Sequence, residues 1–502
     1  MDILSNFISG FGYLVGWEPV VAMAVGVVMG ILTGAMPGLS PSMGVALLVP
    51  FTYKMDPQIA LILLVSIYIA ANYGGSITAV TINTPGTPSA VVTAFDGYPL
   101  TQQGKAGYGL GISLVASTVG GFIGTIILIF FSVPLARVAV RLHPAEYFAL
   151  AIFGLTTVAS LGGRNWPKAF LSCFLGLLIA TVGIDPISGV KRFTFGTYRL
   201  FDGFSLIPAL IGLFALSEVF SRLEEYQLDK DQTIGDLKTK WPSFKEYWAL
   251  KYPIMRASVI GTLIGIFPGA GGTIASFLAY DVEKKFSKHP ERFGKGAYEG
   301  VCAAEASNSS SVGGALVPLL ALGIPGSATT AVLVGALMIH DITPGPMLFT
   351  ERPDIIYALF ASCIVANVIM LFFGIWGSKL WIKVTDIPKK VLFPSILAIS
   401  IIGSFAVNYS FFDVASCIGF GFIGWILKKY DFSAASIILG MVLGNLAETN
   451  FRRAVIMGGY PVFFARPVSL ILFLVSIVSI GIPIYQTTKE IRAERKASKL
   501  SK

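Results

Sequence analysis

Charged residues are scarce in this 502-residue chain: 13% of its residues are Asp, Glu, Lys or Arg, 54% are hydrophobic, and the mean hydropathy is +0.74. A soluble globular domain carries about 25% charged residues, so this composition excludes an ordinary soluble protein. Apolar runs at 107–134, 355–382 and 467–485 are long enough to cross a bilayer, which takes about 20 residues. The runs do not alternate as barrel strands do, and a backbone in lipid must satisfy its own hydrogen bonds. The chain is therefore predicted to be an all-α polytopic integral membrane protein.

Cysteine and histidine are also rare, and each copy lies alone in the sequence. These residues are Cys173, Cys302, Cys363, Cys417, His143, His289 and His340. No CxxC pair occurs, so neither a zinc site nor a disulfide framework is indicated. A phosphate-binding loop, a zinc-protease motif and a nucleophile elbow are all missing from the sequence. We therefore expect no enzyme activity and no cofactor, and any pumping must draw on an ion gradient.

Basic residues are unevenly distributed and indicate an orientation. The first residues, MDILSNFISGFGYL, contain no Lys or Arg, so they do not resemble a cleaved secretory signal and are predicted to be periplasmic. The net charge of +9 fits basic cytoplasmic loops better than a nucleic-acid surface. The expected order is a first repeat over 1–220, a charged cytoplasmic linker over 221–253, a second repeat over 254–488 and a basic cytoplasmic tail over 489–502.

Pro-Gly motifs recur in both halves of the chain. Residues 30–38 read GILTGAMPG and residues 261–269 read GTLIGIFPG, while 73–88, YGGSITAVTINTPGTP, resembles 312–327, VGGALVPLLALGIPGS. We number the four Pro-Gly positions in chain order as break 1 (37–38), break 2 (85–86), break 3 (268–269) and break 4 (325–326). With the N-terminus outside and the linker inside, the halves enter the membrane from opposite faces. The sequence thus predicts about a dozen transmembrane helices plus re-entrant or broken hairpins, arranged as two inverted-topology repeats.

Broken helices have a definite chemistry inside a membrane. Proline removes a backbone donor and clashes with the preceding turn, and glycine lets the chain change direction. The resulting helix end exposes N–H groups and carries about half a positive charge. Lipid does not tolerate such an end, so it must face protein or a wet cavity, where it can hold an anion such as a carboxylate. Two breaks from each half are expected to meet near the midplane around one substrate.

Neutral polar side chains cluster at these breaks and supply the candidate site. The substrate-binding candidates are Pro37, Gly38, Asn83, Thr84, Pro85, Gly86, Thr87, Asn308, Ser309, Ser310, Pro325, Gly326 and Ser327. The ion-coupling candidates are Asn72, Ser76, Pro268, Gly269, Glu305 and Ser311. The alternative is that Ser, Thr and Gly only allow helices to pack closely.

Acidic residues within the apolar segments have several possible roles. Glu305 fits either a proton or cation site or a helix end near water. Glu448 fits a local pair with a nearby Arg at helical spacing, and the two Asp-x-x-Pro segments at Asp96 and Asp341 predict turns.

The motifs together resemble the large membrane subunit of the tripartite tricarboxylate transporter family. The resemblance covers about residues 17–485 and rests on GILTGAMPGLSPSMGVALLVPFTY, GIFPGAGGTIASFLAYDVEKK, GVCAAEASNSSSVGGALVPLL and GNLAETNFRRA, besides the repeated motifs. It implies a bacterial inner-membrane secondary transporter for citrate-like or other organic carboxylates, coupled to Na⁺ or H⁺. It also implies two partners, a small membrane subunit and a periplasmic solute-binding protein, and leaves a homo-oligomer open.

The sequence therefore predicts an ion-gradient-driven importer of a small tri- or dicarboxylate. One alternative is a substrate-gated pore for anions, because duplicated breaks alone can build a pore. Another is a transporter for a different, non-citrate carboxylate. No Lys or Arg lies within the predicted hairpins to count carboxyl groups, so the sequence does not select the substrate.

Overall fold

The computed structural model describes residues 3–36, 39–156, 165–185, 187–225, 241–268, 271–377, 380–381 and 389–481. Residues 226–240 of the predicted linker and the whole predicted tail lie outside these residues. The first helices are α1 Ile3–Tyr13, α2 Trp17–Ala35, α3 Pro41–Leu48, α4 Pro57–Ile82, α5 Ala90–Gln102, α6 Ala106–Ala139, α7 Pro144–Thr156 and α8 Trp166–Ala180. A short antiparallel hairpin follows, with β1 Gly183–Ile184 paired to β2 Lys191–Arg192.

The remaining helices complete the bundle. Helix α9 Leu206–Ile211 continues through a π-turn, Gly212–Leu216, into α10 Ser217–Glu225. Then come α11 Phe244–Ala249, α12 Lys251–Ile266, α13 Gly271–Phe286, α14 Tyr298–Leu322, α15 Ala328–Ile339, α16 Leu348–Glu351, α17 Pro353–Trp376, α18 Lys389–Asn408, α19 Phe411–Lys429, α20 Ala434–Gly458, α21 Val462–Ala465 and α22 Pro467–Gly481.

Eight of the described helices are long and apolar enough to cross a membrane. They are α2, α4, α6, the continuous α9–α10, α17, α18, α19 and α20, and shorter apolar helices accompany them. The all-α polytopic fold is therefore confirmed. Helix α4 is apolar on every side and almost completely buried, as expected of a helix in the centre of a bundle.

Close helix crossings depend on glycines in the first repeated motif. A Cβ on Gly30 would lie 2.5 Å from the Ile67 carbonyl oxygen, and one on Gly34 would lie 2.1 Å from that of Ala71. Any larger side chain would separate α2 from α4, because both obstacles are backbone atoms. Small residues at this spacing let two membrane helices approach closely.

The second motif makes the same crossing between α12 and α14. A Cβ on Gly261 would lie 2.2 Å from the Ser307 carbonyl oxygen, and one on Gly265 would lie 2.5 Å from that of Ser311. The two sequence motifs thus occupy equivalent positions in two similar helix pairs. That these pairs belong to inverted-topology repeats stays a prediction.

Helices α4 and α14 run in opposite directions. The end of α5 lies beside the end of α4, where Thr101 Oγ1 donates to the Val80 carbonyl over 2.6 Å. Just beyond α5, Gln103 Nε2 donates to the carbonyl of Lys295, shortly before α14 begins. Helix α14 therefore starts at the end of the bundle where α4 finishes.

A second group of helices packs beside this core. Glycines again set the crossing of α8 and α20, since a Cβ on Gly176 would lie 1.9 Å from the Ile437 carbonyl oxygen. The predicted local pair at Glu448 is confirmed, because Arg452 donates to its carboxylate over 2.9 Å. Arg192 in β2 also contacts Glu448, at 2.6 Å, so the hairpin is tied to α20.

Candidate functional site

The loop at break 2 folds back onto the helix that it leaves. Helix α4 ends at Asn83, which adopts a left-handed conformation with φ 54°. The Gly86 N–H then donates to the Gly75 carbonyl over 3.1 Å. A Cβ on Gly86 would lie 1.9 Å from the Gly34 carbonyl oxygen, so only glycine fits between α2 and α4 here.

Break 4 repeats this arrangement at the end of α14. Gly323 is left-handed with φ 74°, and a Cβ on Gly326 would lie 2.7 Å from the Cα of Ala315. Ser327 then caps α15, since its Oγ accepts from the Thr330 N–H over 3.2 Å. Both breaks are thus glycine loops packed against their own preceding helix.

Breaks 1 and 3 are described only at their edges. Pro37, Gly38 and Gly269 lie outside the described residues, while Pro268 is buried after the end of α12. Ser40 caps α3, because its Oγ accepts from the Met43 N–H over 3.2 Å. The chain therefore does restart a helix just beyond break 1, as the sequence motif indicates.

Side chains on α4 and α14 connect the two halves near the breaks. The Tyr68 hydroxyl lies 3.0 Å from Ser327 Oγ at break 4. One turn further along α4, the Asn72 carbonyl accepts from Asn308 Nδ2 over 3.3 Å. The Oδ1 atom of Asn308 is buried, has no hydrogen-bond partner among the described residues, and faces Gly272 in the first turn of α13. The same stretch of α4 therefore contacts break 4 and, through Asn308, the helix that follows break 3.

A cavity of about 530 Å³ opens beside breaks 1 and 2. The walls from the breaks are formed by Leu39, Ser40, Met43, Pro85, Gly86, Thr87, Pro88 and Val91. The opposite walls are formed by Leu213, Phe214, Ser217, Glu218, Arg222, Gly424, Lys428, Phe432, Ala434 and Ala435. The cavity thus separates the broken helices from α9–α10 and α19.

Two cationic side chains, Arg222 and Lys428, and one anionic side chain, Glu218, lie on the wall opposite the break-2 loop. Glu218 accepts from Arg222 Nε over 2.9 Å and from the Lys428 ammonium group. Arg222 and Lys428 are cationic, and positive side chains in a cleft with apolar walls favour an anionic guest. The repeated motifs do not predict these cations, because Arg222 and Lys428 lie outside the motifs and meet only when α10 packs against α19. The pairing of Glu218 with Arg222 at helical spacing was the available signal.

The predicted substrate residues therefore fall into separate groups. Pro85, Gly86 and Thr87 line the cavity, whereas Asn83 and Thr84 do not. The α14 set of Asn308, Ser309 and Ser310 is buried and lines another part of the core, as do Pro325 and Gly326. The cavity is thus bounded by the break-2 loop and by residues just after break 1, and neither Asn308 nor Gly326 lines it.

Three of the six ion-coupling candidates, Asn72, Ser76 and Ser311, donate to backbone carbonyls of their own helices. Ser76 Oγ donates to the Tyr73 carbonyl over 2.7 Å, and Ser311 Oγ donates to that of Asn308 over 2.6 Å. Glu305 differs, because its carboxylate is fully buried and is reached from two other helices. No group of three or more metal-ligating side chains occurs within the described ranges.

Asp96 corrects one sequence expectation. It does not lie in a turn but inside α5, where its Oδ1 accepts from the backbone N–H groups of Gly294, Gly296 and Ala297, each over 2.8 Å. Its Oδ2 accepts from the Tyr280 hydroxyl over 2.8 Å. The following proline lies near the end of α5, where losing one donor does not stop the helix. The turn predicted at Asp341 is confirmed, since this residue is left-handed with φ 55° after α15.

Comparison with known families identifies the chain. The sequence model described as the tripartite tricarboxylate transporter TctA family matches residues 20–439. The chain belongs to the TctA family. As a TctA protein it is a component of a tripartite tricarboxylate transporter and not an enzyme. Transporters of this kind work in general with a small membrane partner and a periplasmic binding partner.

Two relatives of this TctA protein come from Agrobacterium vitis. One, described as an uncharacterized 52.8 kDa protein in the TAR-I ttuC' 3' region, is 36% identical over 494 residues and covers 98% of each chain. The other, an uncharacterized protein in the TAR-II ttuC' 3' region, is 37% identical over 222 residues, which is 44% of this chain and 92% of the relative. No solved structure matches this TctA protein.

Proposed function

We propose that this chain imports a small organic tri- or dicarboxylate, driven by an ion gradient. The observation that carries the proposal is the cavity in which the loop of break 2 faces Arg222 and Lys428. Its volume of about 530 Å³ suits a small metabolite, because ligand pockets typically measure about 300–1,000 Å³. Citrate-like compounds fit both this size and the positive charge.

The loop at break 2 supplies a hydroxyl group that could donate a hydrogen bond to a carboxylate. Thr87 is buried, and its hydroxyl lies 3.2 Å from that of Ser89, so a hydroxyl donor is available beside the cavity. On the other wall, Glu218 pairs with both Arg222 and Lys428. A substrate carboxylate would compete with Glu218 for these cations, which keeps binding reversible.

Alternating access would move the repeats relative to the helices on the other side of the cavity. The equivalent glycine crossings of α2 with α4 and of α12 with α14 support two related repeats. The opposite directions of α4 and α14 support an inverted relation. Inverted repeats with discontinuous helices are a common plan of secondary transporters.

The proposed location is the bacterial inner membrane. Lys284, Lys285, Lys288, Arg292 and Lys295 lie between α13 and α14 or at the end of α13, and basic loops favour the cytoplasm. The N-terminus would then be periplasmic and the basic tail cytoplasmic. The chain would receive its substrate from a periplasmic solute-binding protein and act with a small membrane subunit.

Uptake by a matched pair of lysine variants tests the substrate site. Lys428 lines the cavity, whereas the adjacent Lys429 pairs with Glu224 outside it. Losing a charge-assisted hydrogen bond costs about 1.5–3 kcal/mol, so Lys428→Gln should raise the KM for carboxylate uptake about tenfold or more. Lys429→Gln should leave the KM near the wild-type value.

The same assay tests the pore alternative. Uptake by a carrier saturates with substrate and stops when the ion gradient is collapsed. Unsaturable uptake that persists without any gradient would instead support a pore, and equal KM values for the two lysine variants would remove the assigned site.

A further inference from the structure

Glu305 is a buried carboxylate that neither the cavity nor the packing of the bundle explains. It lies in the middle of α14 with 0% of its side chain exposed. Thr93 Oγ1 on α5 donates to its Oε1, and Ser117 Oγ on α6 donates to its Oε2 over 2.9 Å. Each carboxylate oxygen therefore accepts a hydrogen bond from one hydroxyl, and the two hydroxyls come from different helices of the first half.

No cation offsets this carboxylate within the described part of the chain. Helix α12 carries Lys251 at its first residue, over the rings of Trp248 and Tyr252. It also carries Arg256, which forms its own ion pair with Glu283 on α13 at 2.7 Å. Helix α6 has Arg137 near its far end, and α15 contains no charged residue. A buried carboxylate without a cation is much less costly when it carries a proton.

The remaining titratable neighbours are either hydrogen-bonded to other residues or uncharged. Tyr73 on α4 is buried and carries an uncharged phenol, not a cation. Asp96 lies one turn beyond Thr93 on α5 and already accepts the hydroxyl of Tyr280 from α13. Among the described residues, a proton is therefore the available means of neutralising the Glu305 carboxylate, because no neighbouring cation pairs with it.

The position of Thr93 connects Glu305 to the substrate loop. Helix α5 begins directly after the break-2 loop, and Thr93 lies in its first turn. A charged Glu305 cannot release Thr93 without losing half of its recorded hydrogen bonds, which is costly in a buried site. A protonated Glu305 can release Thr93, because no buried charge then loses a hydrogen bond.

We propose that Glu305 carries the coupling proton and that its protonation permits α5 and the break-2 loop to move. The inference rests on the proposed carboxylate import and selects H⁺ over Na⁺ as the coupling ion. One proton binds to the carboxylate on the side from which substrate arrives and dissociates on the other side. The two hydroxyls supply no positive charge, and a proton neutralises the carboxylate without the further oxygen ligands that Na⁺ would need.

Transport by the reconstituted transporter with both partners tests this proposal. Citrate, malate and succinate serve as probes, and every compound that the wild type carries is assayed. A pH gradient should give about tenfold accumulation per pH unit for each coupled proton. Glu305→Gln should lose this pH-driven accumulation while exchange of labelled for unlabelled substrate continues. Glu299→Gln, at the start of the same helix, should behave as the wild type.

The outcomes separate the inference from the proposed function. Wild-type accumulation by Glu305→Gln under a pH gradient would overturn the role of Glu305 and leave carboxylate import intact. Accumulation by the wild type that follows Na⁺ and ignores pH would do the same. Failure of the wild type to carry any carboxylate would instead refute the proposed function.

A second variant keeps the proposal testable if Glu305→Gln does not fold. Thr93→Val removes one donor and should weaken the dependence of accumulation on pH, and Thr93→Ser should restore it. An infrared difference spectrum of the wild type should also show a protonated-carboxyl band that appears on acidification. Unchanged pH dependence in Thr93→Val, or no such band, would overturn the proposal.

Discussion

Replacing Gly86 with alanine should displace the loop between α4 and α5 from the helices that hold it. The new Cβ would lie 1.9 Å from the Gly34 carbonyl oxygen and 3.0 Å from the Cα of Gly75. Since ordinary contacts begin near 3.4 Å, the loop or α2 must retreat by about 1.5 Å. Neither obstacle is a flexible side chain, so the backbone itself must move.

Such overpacking typically costs about 1–3 kcal/mol. The cost should appear mainly in the loop, because Gly86 lies in a turn that borders the cavity and not in a continuous helix. If substrate binding must restore the displaced loop, the Kd rises by about tenfold for each 1.4 kcal/mol. We therefore expect Gly86→Ala to weaken carboxylate binding about five- to 100-fold.

Gly419→Ala is the matched control, because a Cβ at this position in α19 meets nothing within 4 Å. Binding of radiolabelled carboxylate to the purified transporter gives the Kd, and membrane yield reports folding. A Gly86→Ala protein that binds and transports as the Gly419→Ala protein does would refute the idea that this loop shapes the substrate site.

The remaining predictions concern the core and two loops. Asn308→Ala and Gly326→Leu should abolish uptake while the protein stays folded in the membrane, because they alter the contact of α14 with α4 and the packing of break 4 against Ala315. Normal transport by both would show that transport does not depend on these contacts. Asp96→Asn should lower the free energy of unfolding by about 1.5–3 kcal/mol and expose the 287–297 loop to protease; unchanged cleavage would contradict the capping role. Backbone N–H groups of Ser188 and Ile187, and then Arg452, hold the pKa of Asp185 well below its usual range. Its stabilising contribution is present above the unfolded pKa of about 3.9 and is lost only as the pH falls through the lower folded value. Protease cleavage in the β1–β2 hairpin should therefore be the same at about pH 7 and about pH 5, and faster cleavage at the lower pH would contradict this assignment.

Much of the fold follows from local signals in the sequence. Apolar runs predict the membrane helices, and each described Pro-Gly break does interrupt a helix where the motif indicates. Asn83 and Gly323 mark the ends of α4 and α14, because both adopt left-handed conformations that stop a helix. These features depend on a few neighbouring residues, which is why the sequence can reveal them.

The charged part of the candidate site depends instead on packing. Glu218 and Lys428 are far apart in the chain and meet only because α10 and α19 lie side by side. The proline in the Asp96 motif predicts a turn. Instead, Asp96 lies within a helix and is stabilised by distant partners in the 294–297 segment. Contacts of this kind arise from tertiary structure and leave no local pattern.

A map of the complete transporter with a saturating carboxylate would show whether the substrate binds at break 2. Density for the bound anion is expected in the cavity, between the Gly86–Thr87 loop and the side chains of Arg222 and Lys428. An anion bound elsewhere, with this loop packed against protein and the cavity empty, would contradict this expectation.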